Sequence, residues 1–202
     1  MNNEKKCYDD RKQIEILEKK EALIKIWDER YFQGFTWNKL LKRSVIKENE
    51  LFFDENIKIN EDLLFWIEAF EKLNEIAYFS TPYYYYIQIK SSALHSKCVD
   101  NYITALTAYE KIEKIYIKNN IRTELFNINF FCINLIIREL LIDKKNKEIN
   151  QIIKKNLKEN FKIVLFSKEI NFKRKFKLIV KYFFIKQFCF IKKIYYKLKN
   201  KI

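Results

Sequence analysis

Apolar residues recur at helical spacing along most of this chain. Over residues 10 to 32, "DRKQIEILEKKEALIKIWDERYF", Ile14, Leu17, Leu23, Ile26 and Trp27 fit one side of an amphipathic helix, and a helix is expected there. The stretch "FTWNKLLKRSVI" reads as a short strand or turn leading into a helical turn through "VIKENE", and "LFFDENIKI" as irregular or extended. A helix resumes at Glu61 and runs to about Leu73, with Leu63, Trp66, Ile67 and Phe70 on one face and Asn60 as its N-cap. "EIAYFSTPYYYYIQI" mixes β-branched and aromatic residues around Pro82, which predicts two short strands joined by a bend. Helical periodicity returns at Val99 and covers roughly 99–119, 123–142, 146–158 and 169 to the end, with no internal repeat. The order predicts an α+β, mostly helical chain. Residues 1–97 form a module with two short strands, 98–168 a helical extension and 169–202 a basic amphipathic tail.

A chain of 202 residues, 49% hydrophobic, is long enough for one packed domain with an appendage. Its single glycine, Gly34, and single proline, Pro82, leave few residues suited to tight left-handed turns, which favours long helices. The bias toward Ile, Lys and Asn fits an AT-rich genome as well as any function. Cys7, Cys98, Cys132 and Cys189 show no C-x-x-C spacing, and one histidine cannot complete a zinc site. They are expected to be reduced, mostly buried thiols in a cytosolic protein. "MNNEKKCYDD" has no apolar core of a signal peptide, and the longest apolar runs, such as Tyr182 to Ile185, are cut by Lys181 and Lys186. A membrane-spanning segment is therefore not expected.

The charge is unevenly placed. The net charge is +14, and from Asn171 to Ile202 there are eleven basic residues and no acid, which leaves only +3 for the rest of the chain. Phe172, Phe176, Phe183, Phe184, Phe188 and Phe190 lie among those lysines. Rings at the headgroup boundary and lysines against anionic lipid suit such a tail to a membrane surface. Nucleic-acid binding through phosphates is the rival reading, since basic residues interleaved with aromatics serve that role too.

One short stretch asks for more than packing. "KINEDLLFWIEAF" sets Glu61 and Asp62 ahead of an apolar helix. Acids in the first turn complement the positive end of the helix dipole, so a capping role is sufficient by itself. Three other blocks accompany the pair in order: Trp37-Asn38-Lys39-Leu40 with Lys42-Arg43, then Phe53 before it, and Pro82 with "YYYYIQIKSS" after it. Together, over about residues 30 to 95, they resemble the acceptor-side, C-terminal half of the GT-A fold, family 2 bacterial glycosyltransferases. The family pattern is W-x-K-L-x-x-R, a phenylalanine, E-D-hydrophobic-x-F, and a Tyr-rich strand ending in Y-Y-Y-x-Q-R-x-x-S.

The resemblance implies a partial GT-A module and an inverting sugar transfer in surface polysaccharide synthesis. Asp62 matches the family's general base, which takes the proton of the acceptor hydroxyl, and Glu61 is its neighbour. Like-charge repulsion from Glu61 raises the pKa of such a base, and the helix dipole lowers it. Trp37, Lys39, Ser92 and His95 fall at substrate-side positions; for His95 a surface role and a donor-phosphate contact both stand. For Trp37, Trp66 and Tyr83 to Tyr86 core packing is the default, with stacking of one ring on an acceptor sugar as the alternative. The family arginine after Tyr-x-Gln is Ile89 here, with Lys90 beside it.

The family's nucleotide-binding half has no counterpart in these residues. There is no apolar strand ending in a Pro-x-Tyr-Asn turn and no Asp-x-Asp; Tyr8-Asp9-Asp10 lacks the strand, and "FDE" at 53–55 lies in the acceptor block. The divalent metal (Mn or Mg) and nucleotide-sugar donor that the family implies would need a separate donor-binding half. The expected partners are that half, a glycan or lipid-linked acceptor, and an anionic membrane surface contacted through 171–202. The expected location is cytoplasmic, peripheral at the inner face of the cell membrane. The alternative is a non-catalytic basic helical protein that binds a membrane surface or nucleic acid.

Overall fold

Two compact units, Met1–Thr123 and Glu124–Ile202, divide the chain. A computed structural model describes residues 14–81, 84, 87, 98–142, 146–187 and 190. Over these residues the chain is α+β and mostly helical, as expected. The first unit contains β1 (Ile14–Glu18), α1 (Lys19–Lys25), α2 (Arg43–Glu48), α3 (Glu61–Glu71), β2 (Glu75–Phe79) and α4 (Val99–Lys118). The second contains α5 (Glu124–Leu140), α6 (Lys147–Phe166) and α7 (Phe172–Phe183). The helix that the sequence reading assigned to an extension starting at residue 98 is α4, and it lies in the first unit, packed on α3.

The first helix is a correction. Residues 14–18 form a strand, and helix is confined to Lys19–Lys25, followed by turns. Ile14, Glu15, Ile16 and Leu17 alternate across the strand, and only Leu17 is buried. The strand pairs antiparallel with β2, Ile14 opposite Phe79 and Glu18 opposite Glu75, and Lys19 N–H donates to the Asn74 carbonyl at 2.9 Å. Pairing with a segment about sixty residues away overrides a local spacing that suits a helix equally well. The sheet partner of β2 is thus β1; the second strand expected after Pro82 lies outside the described residues.

α3 is buried almost all round, with Leu63, Leu64, Phe65, Trp66, Ile67, Ala69 and Phe70 all inside. It packs against α1 and α4. Leu17, Leu23 and Ile26 are buried in the same unit, and α4 contributes Ala105, Ala108 and Ile112, all three fully buried. A buried polar link joins α4 to α1: Trp27 Nε1–H donates to Tyr116 Oη at 2.6 Å, and Tyr116 O–H donates to the Leu23 carbonyl. Left-handed backbone does occur despite the scarcity of glycine. It is taken by Gln33, Glu50, Asn60 and Asn120. Asn120 closes α4, where Ile121 N–H returns to the Tyr116 carbonyl at 2.8 Å.

In the second unit α5 and α6 form an antiparallel pair around Ile128, Phe131, Leu135, Ile153 and Leu157. α6 runs eight residues past the expected end at 158 because Phe161 and Val164 continue its inward face. Asn146 caps it by accepting the Ile149 N–H at 3.0 Å. Asn134 is buried on α5 and accepts from Asn156 Nδ2 of α6 at 3.1 Å. Asn156 is half-buried, so the amide pair satisfies the buried Asn134 side-chain carbonyl across the two helices. Cys98 is exposed and Cys132 half-buried, so neither fits the expectation of buried thiols; Cys7 and Cys189 lie outside the described residues.

The Tyr116 link gives a direct test of what holds α1 to α4. Tyr116→Phe removes one hydroxyl from a buried site, and is expected to cost about 1–3 kcal/mol in urea unfolding while keeping the helical spectrum.

Candidate functional site

The start of α3 is held from two sides. On one side, residues 51–60 are fastened to α3 and α4: the Phe53 ring lies flat on Phe65 at 4.3 Å, Asp54 pairs with Lys111 at 2.6 Å, and Lys58 N–H donates to Thr104 Oγ1 at 2.9 Å. Asn60 then turns the chain into the helix in a left-handed conformation and makes no side-chain cap, contrary to the role expected of it. Asp62 takes over part of that role, its Oδ1 accepting the Leu63 N–H at 2.7 Å. The acid thus complements the helix start and is also drawn into the fold.

On the other side lies the loop from Tyr31 to Lys39. Phe32 is buried edge-on against Phe70 at 5.4 Å. Gly34 rests on the first turn of α3: a Cβ there would stand 2.8 Å from Leu63 Cβ and 2.9 Å from its Cα. Only glycine lets two backbones approach so closely. Lys39 then closes the loop on itself. Its Nζ donates to the Phe32 carbonyl at 3.0 Å, the Phe35 carbonyl at 2.6 Å and Asn38 Oδ1 at 2.8 Å, and Asn38 Nδ2 also donates to the Phe32 carbonyl at 2.8 Å.

The closed loop displays a stack of rings. Trp37 lies against Phe35 at 5.2 Å and against Tyr84 at 5.1 Å, both nearly parallel, and all three rings are partly open to solvent. Sugars present C–H faces to such rings, so the stack suits a carbohydrate surface. Because the Gly34 contact sets this loop on Leu63, the stack belongs to the same neighbourhood as Asp62.

Charge in this neighbourhood is perturbed in both directions. Burial raises the Asp62 carboxyl above its ordinary value; the Leu63 N–H opposes the shift, Glu61 adds to it and Lys39 opposes it. Burial lowers Lys39 to about 7, and the charge of Asp62 works against that drop. The Lys39 ammonium also lies 5.3 Å from the centre of the Trp66 ring, one helical turn beyond Asp62. Trp66 Nε1 is buried with no hydrogen-bond partner among the described residues. A desolvated carboxylate, a desolvated ammonium and an orphan indole donor thus lie together at this helix start, a combination of perturbed groups that marks a candidate functional site.

Of the residues singled out in the sequence, the structure brings Asp62, Glu61, Lys39 and Trp37 into this one neighbourhood. Ser92 and His95 lie outside the described residues, as do Pro82, Tyr83, Tyr85, Tyr86, Ile89 and Lys90. Lys39 is committed to the loop's own carbonyls, so its part is to position rather than to touch a substrate. Sequence reasoning missed Gly34, Asn38 and the orphan donor of Trp66. Gly34 alone left a signal, as the one glycine of a chain that otherwise does without. Among the described residues no group of three or more His, Cys, Asp or Glu side chains converges to hold a metal.

Two substitutions separate a working carboxylate from a capping one. Because the folded state raises the Asp62 pKa, its native form binds a proton more tightly than the unfolded chain. That contribution to stability is present below the ordinary carboxylate range and is lost as pH rises through the raised value. Asp62→Asn is accordingly expected to raise stability at neutral pH by about 0.5–1 kcal/mol and to lose the advantage in acid; a pure cap would instead lose about 0.3–1 kcal/mol. Thermal melts at the two pH values decide. Gly34→Ala forces Leu63 or the loop aside and is expected to cost about 1–3 kcal/mol, read in the same melts. The chain matches no protein-family model, no curated protein and no solved structure, so its geometry and its own residues carry the functional reading.

Proposed function

We propose that the chain is the acceptor-side half of a family 2, GT-A type glycosyltransferase. It works with a donor-binding half in the inverting transfer of a sugar to a glycan or lipid-linked acceptor of a bacterial surface polysaccharide. The observation that carries this reading is the state of Asp62: a half-buried carboxylate with a raised pKa, at a rigid helix start, beside an exposed aromatic stack. A general base works best when its pKa lies toward the operating pH, and burial moves Asp62 that way. Asp62 accepts the proton of the acceptor hydroxyl as that oxygen attacks the anomeric carbon of the donor, whose bond to the diphosphate oxygen breaks, the nucleoside diphosphate leaving with the electron pair. Glu61 helps keep the base avid for a proton, and Lys39 holds the loop that carries Trp37 in place.

The donor half supplies the nucleotide-sugar and its metal, and no step by the described residues passes through either. The basic 171–202 segment keeps the protein at the inner face of the cell membrane, where lipid-linked acceptors are used. No helix among the described residues is long and apolar enough to cross a membrane, which agrees with a peripheral attachment.

The test is reconstitution. Alone, the chain is expected to show no saturable heat with UDP-sugars and Mn²⁺ in calorimetry. Combined with a donor half, it should transfer sugar, and Asp62→Asn should lower kcat by about 10²- to 10⁴-fold with the fold intact. Activity should fall on the acid side as Asp62 takes up a proton. It should fall again above about 7 as Lys39 loses the proton that serves its third acceptor. Full activity in the Asn variant returns Asp62 to a purely structural role.

A further inference from the structure

Among the described residues of the second unit, nothing covers one face of the α7 helix. Phe172, Phe176, Val180 and Phe183 are 81%, 59%, 38% and 60% exposed. Spaced i, i+4, i+8 and i+11 on one helix, they form a single stripe. Three phenylalanines side by side in water are an unusual expense for an isolated helix and mark a contact surface. The opposite side of α7 is fixed. Tyr182 stacks on Phe161 at 4.8 Å, Lys181 pairs with Glu139 at 2.6 Å, and Lys175 Nζ donates to the Ser167 carbonyl at 2.7 Å. Lys175 and Lys181 are therefore used inside the unit. Lys173 and Lys177, which border the stripe, make no ion pair among the described residues, and no acid occurs from Asn171 to Ile202.

We infer that this face of α7 docks flat on an anionic bilayer, with its rings at the headgroup boundary and Lys173 and Lys177 against lipid phosphates. The inference rests on the peripheral placement proposed above and narrows it to one face of one helix. Charge complementarity selects the occupant. A second copy would set its own lysines against these. A nucleic acid duplex satisfies the lysines through its phosphates but leaves the stripe in water. An anionic lipid surface takes both parts at once, because acyl chains accept the rings while headgroups accept the cations. Since the inner side of α7 is locked to α5 and α6, the contact is a fixed plate that sets how the second unit stands on the membrane, rather than a loose tethering tail.

The experiment is co-sedimentation of the full chain with phosphatidylcholine vesicles and with vesicles containing phosphatidylglycerol, at low and high salt. Two variants accompany it, Lys173→Gln with Lys177→Gln, and Phe172→Ser with Phe176→Ser and Phe183→Ser. The parent is expected to bind the anionic vesicles, with the lysine variant about thirtyfold weaker. The ring variant should keep only binding that high salt abolishes. The lysine variant changes charge alone and decides the matter even if the ring variant loses helicity. If the parent binds but both variants bind equally well, the membrane placement survives and the α7 face is overturned; if the parent binds no vesicle, both fall. A parent dimer that the ring variant dissociates, or tight oligonucleotide binding that replaces vesicle binding, overturns the lipid assignment.

Discussion

The close approach of Gly34 to Leu63 is the constraint from which the site follows. With 2.8 Å between Leu63 and the place a Cβ would occupy, the loop and the helix start are fixed against each other with no side chain between them. Everything that gives the site its character depends on that contact. It brings the Phe35–Trp37 rings to the end of α3 and puts the Lys39 ammonium where it feels Asp62. The loop has no regular secondary structure to satisfy its backbone, so Lys39 and Asn38 do so instead, taking up the carbonyls of Phe32 and Phe35. A lysine spent on carbonyl oxygens is an uneconomical way to stabilise a loop, because its long side chain must be desolvated and held still. It becomes reasonable if the position of the loop matters more than the stability of the fold.

The rest of the first unit offsets what the site costs. A raised carboxyl at Asp62, a lowered ammonium at Lys39 and an orphan donor at Trp66 each oppose folding. Asp62 and Trp66 sit on a helix with seven buried residues, and Lys39 lies in the loop packed on its first turn; Leu17, Leu23, Ile67 and Ile112, all fully buried, and the Trp27–Tyr116 link belong to the same unit. Unfavourable groups persist where the surrounding packing is strong enough to hold them, and such places are generally the ones used for binding or chemistry. A capping carboxylate needs no such surroundings, since it already complements the helix dipole at an exposed helix end.

Legibility in the sequence followed the range of the interactions. α3, α4 and α5 were readable because a 3.6-residue period over eleven or more positions has few competing explanations. β1 was not, since Ile14 and Leu17 satisfy a helical spacing too, and the deciding hydrogen bonds come from Glu75–Phe79. Asn60 was read from residue type as a cap, whereas its left-handed backbone turns its side chain away from that task. The pair Glu61-Asp62 could be found from sequence, but only the fold shows that Asp62 is half-buried and its pKa raised. The task of Lys39 was out of reach because carbonyl acceptors leave no trace in residue type, whereas the single glycine hinted at a close approach without saying what Gly34 approaches.

The basic tail shows how two patterns on one helix can hide each other. Its lysines do not fall on one clean face, which by periodicity alone weakens an amphipathic reading. The structure separates those of α7 into two sets with different work. Lys175 and Lys181 serve the inner side, closing the Ser167 turn and pairing with Glu139, so they behave as part of the core boundary. Once these are set aside, Lys173 and Lys177 border a continuous stripe from Phe172 to Phe183, and charge and apolar surface separate along α7. Tyr182 adds to the confusion from the other direction, an aromatic residue that faces Phe161 and Phe131 rather than the stripe. A helix that must both pack inward and present an apolar face outward has apolar residues on two sides, and its lysines are confined to the two seams between them. An irregular period is what that double duty requires.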